Sequence, residues 1–169
     1  MSDKAKILML VLLNVVLILL YISTPKNCPP NYVSENLAQY RSIAENLILV
    51  GNSLAKDYHS KDPLYGNSIN VRFNKKVLEE MNRKPDYYNI LSKVNSKMNL
   101  SGFTLTADNK VYLHLDESSS FFRGERTSET LIYSNRNINP DLEENSEVKE
   151  TCHVQLDKVM LYRREKVND

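Results

Sequence analysis

The sequence predicts an α+β domain, amphipathic helices packed on an antiparallel β-meander, carried behind a single N-terminal transmembrane helix. Three observations predict it. Leu37, Tyr40, Ala44, Leu47, Ile48, Leu54 and Tyr58 recur three and four residues apart, which puts them on one face of a helix. From Leu100 the period falls to two: Phe103 and Leu105 alternate with Thr104 and Thr106, and Val111, Leu113 and Leu115 with Tyr112 and His114. Such alternation marks strands buried on one face. Ahead of both lies Ile7 to Ile22, apolar except for Asn14 and the terminal Tyr21.

Taken in order, residues 1–5 read as a cytoplasmic N-terminus and 6–23 as the transmembrane anchor. About 20 residues at 1.5 Å each span the roughly 30 Å of a hydrocarbon core. The exit, Tyr21-Ile22-Ser23-Thr24-Pro25, offers no small-x-small cleavage site, so the segment reads as an uncleaved signal-anchor rather than a signal peptide. Lys4 and Lys6 lie at its N-terminal side and Lys26 follows. This places the N-terminus in the cytoplasm and the remainder outside it, in periplasm, cell exterior or virion surface. Asn14, the polar group at mid-span, is a candidate contact to a neighbouring transmembrane helix.

Residues 24–33 contain Pro25, Pro29 and Pro30, a stiff linker with no place for regular helix. The domain follows over 34–169. Ser34 suits an N-cap for one long helix, Glu35 to Tyr58. His59 to Asn67 reads as loop, Ile69 to Phe73 as a short strand, and Val77 to Met81 as a short helix. A further helix runs from Asp86 to Met98, with Pro85 at its first turn. A hairpin turns at Ala107 to Lys110, another strand covers Thr130 to Ser134, and a last one runs from Cys152 to Tyr162. Asp116 to Ser128 and Asn135 to Glu150 read as polar connections. The second carries Asp141, Glu143, Glu144 and Glu147, a solvated acidic run. Helices followed by locally connected strands give an α+β arrangement with an antiparallel sheet.

The chain has 169 residues and a formal net charge of +1. A balanced domain has no bulk attraction for nucleic acid or anionic lipid. Its 4 glycines are isolated from one another, which excludes the clustered-glycine loops that cradle phosphate. No HExxH, GxSxG, CxxC, P-loop or EF-hand pattern occurs. No cofactor, metal centre or catalytic set is therefore expected.

Cys28 and Cys152 are the 2 cysteines. On an oxidising side of the membrane they invite a disulfide from the linker to the last strand. On alternating strands His114 and His153 occupy the polar face. With Asp157 they would make a zinc-like donor set if their strands were neighbours. Phe121, Phe122, Arg123 and Arg126 lie in a serine-bordered loop, Ser118 to Arg126, with the composition of a partner contact. The resulting expectation is a membrane-anchored, non-enzymatic interaction module, an accessory or scaffold subunit of an envelope-located bacterial or viral assembly. It would bind a protein partner and no nucleic acid. A tethered ligand-binding, sensing or immunity domain is the alternative, with a metal-dependent enzyme after it.

Overall fold

Pro30 and Asn36 decide how the helical layer begins. The computed structural model describes residues 5–6, 9–15, 28–58, 68–115, 118–120, 125–139 and 149–167. Within them, the predicted long helix is three: α1 (Asn31–Glu35), α2 (Leu37–Leu49) and α3 (Gly51–Tyr58). Helix starts inside the predicted linker because Pro30, with its fixed φ, sits at the N-cap, where its missing N–H costs nothing. Asn36 breaks α1 from α2: its amide Nδ2 donates to the Tyr32 carbonyl at 2.8 Å, competing locally with continued helix. Gly51 opens α3 against the sheet, where an added Cβ would stand 3.3 Å from Leu105 Cδ2.

Two shorter helices follow strand β1 (Ile69–Arg72): α4 (Lys75–Asn82) and α5 (Pro85–Leu91). Asn74 caps α4 by accepting from the Val77 N–H at 3.0 Å, as an N-cap asparagine does. The helix predicted to reach Met98 stops at Leu91, and turns carry the chain to β2.

The sheet contains β1, β2 (Leu100–Leu105), β3 (Lys110–Leu115), β4 (Ser118–Ser120), β5 (Glu125–Ser134), β6 (Lys149–Asp157) and β7 (Met160–Val167). All pairings are antiparallel, in the order β1-β2-β3-β5-β7-β6, with β4 beside the start of β5. The α+β class stands, with three corrections to its strands. Part of the predicted Asp116–Ser128 connection is strand, in β4 and the start of β5. The single last strand is a hairpin turning at Lys158-Val159, where the Asp157 carboxylate accepts from the Val159 N–H at 2.8 Å. The order is not a meander, because β5 pairs with β7 and leaves β6 at the edge.

All the helices whose contacts are described share one layer. Tyr40, Ile43, Ala44 and Leu47 from α2, Leu54 from α3, Met81 from α4 and Tyr87 and Ile90 from α5 bury against one sheet face. That face supplies Val71, Phe103, Leu113, Leu131 and Tyr162, at 3% exposure or less. The opposite face holds a smaller apolar group, in which Ile138 packs on Ile132 and Leu161, with Tyr112 against them. Ile138 is held there by its N–H bonding the Lys158 carbonyl at 3.0 Å. Polar side chains occupy the rest of that face.

The transmembrane expectation is overturned. Among the described residues no helix is long and apolar enough to cross a membrane. Residues 5–6 and 9–15 are helical. The anchor over 6–23, the signal-anchor reading and the single-pass placement with a cytoplasmic N-terminus are therefore unsupported. Residues 7–8 and 16–23 of that span lie outside the described residues.

Candidate functional site

Cross-strand register assembles a row that the sequence does not display. Arg72 faces Gly102, Gly102 faces His114, His114 faces Thr130, Thr130 faces Arg163 and Arg163 faces His153. All six lie on the sheet face away from the helices, because their chain neighbours Val71, Phe103, Leu113, Leu131 and Tyr162 are in the main core and successive side chains alternate. The row crosses the full path from β1 to β6.

Gly102 shapes its first half. An added Cβ there would lie 2.4 Å from the Val71 carbonyl oxygen and 3.0 Å from Arg72 Cα, so β1 approaches β2 closer than any side chain allows. A bulge at Leu100/Gly102 accompanies this approach. The extra residue, Ser101, donates its hydroxyl to the His114 carbonyl at 3.0 Å and the Leu115 carbonyl at 3.2 Å. With no side chain opposite it, the His114 ring reaches the diagonal neighbour Thr104, whose Oγ1 lies 2.8 Å from Nε2. The imidazole is thus fixed at both its backbone and its ring.

Positive charge dominates this row. Arg72 stands on one side of His114 and Arg163 on the other. Burial lowers the His114 pKa first, and the charges of Arg72 and Arg163 lower it further. Arg163 Nε meets Glu165 Oε1 at 2.9 Å, with side chains 17% and 16% exposed. Glu165 is the carboxylate of this face among the described side chains. Glu129, Asp57 and Asp157 serve elsewhere. Glu129 accepts from the Tyr32 hydroxyl at 2.6 Å and from Arg164 Nε at 3.1 Å on the helix side. Burial and that carboxylate push the Tyr32 and Tyr162 hydroxyls well above the ordinary phenol range. Asp57 accepts from the Tyr87 hydroxyl at 2.5 Å and pairs with Lys84 at 2.6 Å, tying α3 to α5.

The histidine expectation is half met. His114 and His153 share the polar face, but β5 and β7 lie between their strands, about 14 Å at 4.8 Å per strand. Asp157 faces the helices and pairs with Arg41 of α2. The three do not converge, and among the described residues no group of three or more His, Cys, Asp or Glu is placed to hold a metal ion.

The other sequence candidates fall as follows. Cys28 and Cys152 lie at disulfide distance, with Cα atoms 6.5 Å apart and a sequence separation of 124. The bridge ties the segment before α1 to edge strand β6. Asn14 donates Nδ2 to the Leu10 carbonyl, 2.8 Å away and one helical turn back. Phe121, Phe122 and Arg123 lie outside the described residues. Arg126 belongs to β5, its backbone opposite Ser119 and Val167. Sequence reading passed over Arg72 and Arg163. The signal was each arginine's parity with a buried neighbour, which places it opposite the core but does not say which strand lies beside it.

The electrostatics carry a pH signature. A histidine whose folded pKa is depressed binds fewer protons in the folded state, so stability rises with pH across that window. Unfolding free energy is expected to fall as pH drops through the ordinary histidine value near 6.5, by at most about 1.4 kcal/mol per pH unit from this group. Denaturant melts at a series of pH values, with His114→Gln alongside, check it. The variant should flatten the slope; a slope that it leaves unchanged assigns the proton uptake to another group.

No family model matches the chain, no curated protein matches it, and no solved structure matches it at a significant level.

Proposed function

We propose that this protein is a non-enzymatic interaction module that receives an anionic partner on the sheet face opposite the described helices. One observation carries the reading: Arg72 and Arg163 flank His114 in register across the strands, with Glu165 beside Arg163. Like charges gathered on one face of a nearly neutral chain concentrate positive potential there. An approaching anion lowers that repulsion, and the arginine forks supply bidentate geometry.

Binding suits the site better than chemistry. The one described hydrogen-bond partner of the His114 ring is Thr104, and no described carboxylate orients the ring's second nitrogen. A hydroxyl–imidazole pair without that third group lacks the usual activation of a nucleophile. His153 is too distant to serve.

The test is a titration of the full-length protein with poly-glutamate, read by calorimetry. Saturable binding is expected to weaken with salt, and Arg72→Ala is expected to weaken it about tenfold, as for a lost charged hydrogen bond. Equal affinity for poly-lysine, or no loss in the variant, contradicts the reading.

A further inference from the structure

We infer that the partner is an acidic polypeptide segment lying in polyproline-II conformation across the strands, with carboxylates three residues apart; this rests on the reading above. The spacing comes from the sheet. Arg72 and His114 are two strands apart, and so are His114 and Arg163. Two strand spacings make about 10 Å, and one turn of polyproline II, three residues that bring the side chain back to the same side of the chain, advances about 9 Å. A peptide crossing the row with acidic residues at every third position sets one carboxylate on each of Arg72, His114 and Arg163. Gly102 and Thr130 lie between those positions, so the floor beneath the intervening residues is a bare backbone and one small side chain.

The chemistry of the face favours a carboxylate. Glu165 already brings one to within 2.9 Å of Arg163, and a guanidinium fork matches a carboxylate edge. Nucleic acid is disfavoured by what the face lacks. Single strands are held on aromatic platforms that stack bases. Among the described residues the aromatic side chain of this face is Tyr112, which is half-buried against Ile132, Ile138 and Leu161.

Two peptides of equal length and composition test this on the full-length protein by calorimetry. One carries three glutamates at every third position among serines and glycines; the other carries them consecutively. The spaced peptide is expected to bind about tenfold tighter, and Arg72→Gln to weaken it about tenfold while removing its advantage. Arg72 is exposed, so this variant keeps the fold; Arg163→Gln is a second. Equal affinities, both weakened by Arg72→Gln, overturn the spacing and leave the binding face standing. Tighter binding of oligouridylate than of either peptide also overturns the acidic-polypeptide inference. Affinities untouched by either arginine variant overturn the inference and the reading beneath it together.

Discussion

Replacing Glu129 by alanine is expected to cost about 3–5 kcal/mol of stability, the cost of leaving one member of a buried ion pair alone. Arg164 and Glu129 are 12% and 8% exposed, joined by Nη2–Oε1 at 3.0 Å and Nε–Oε1 at 3.1 Å. The same carboxylate accepts from the Tyr32 hydroxyl, so its loss takes a buried partner from a guanidinium and a phenol at once. Arg164 also lies over the Tyr162 ring, 5.7 Å from Cζ to the centroid. Glu129→Gln keeps acceptors for Tyr32 and should lose less than the alanine variant. Urea unfolding of the three proteins measures both effects. A loss below about 1 kcal/mol for Glu129→Ala is the range of an exposed pair and would remove this cluster as the joint between α1 and the sheet.

Breaking the Cys28–Cys152 bridge is expected to have a comparable effect. With its ends separated by 124 in sequence, the closed loop restricts the unfolded chain by about 4–5 kcal/mol in the chain-entropy treatment. For a chain of this size that corresponds to a fall in Tm on the order of 10 °C. The bridge and the Glu129 cluster reinforce each other, because Cys28 lies just before α1, the helix that carries Tyr32. Thermal melts with and without reductant check the prediction. The oxidised parent should lose stability on reduction, and the double variant Cys28→Ala/Cys152→Ala should melt like the reduced parent and ignore reductant. Identical melts for oxidised parent and double variant contradict it.

Where local chemistry decides structure, the sequence was readable. The β2–β3 hairpin follows from the alternation of Phe103 and Leu105 against Val111 and Leu113, and its turn from Thr106 to Asn109. Asn109 takes φ 62, and Thr106 Oγ1 accepts from the Lys110 N–H at 3.1 Å. The turn at Lys158-Val159 was hidden because it contains no glycine, proline or asparagine; the side chain of Asp157, one residue earlier, supplies its bond. The helix breaks at Asn36 and Gly51 interrupt an apolar stripe that stays in phase, so periodicity alone runs through them. The pairing of β5 with β7 is a long-range choice with no local marker. The row of Arg72, His114 and Arg163 inherits that difficulty, since its members come from strands whose neighbours only the fold assigns. The His114–His153–Asp157 grouping failed for the same reason: alternation puts the two histidines on one face but says nothing of the two strands between them. The N-terminal expectation went wrong on composition: apolar residues satisfy a membrane span in sequence, while no helix among the described residues is long and apolar enough to cross a membrane.

Chemical-shift mapping on the isotope-labelled full-length protein, titrated with the spaced acidic peptide, tests the central claim most directly. The account predicts that the perturbed backbone amides cluster at Gly102, His114, Thr130 and Arg163, with the His114 ring resonances moving in step. Perturbations confined to α2–α5, or scattered over the surface without this row, would contradict it.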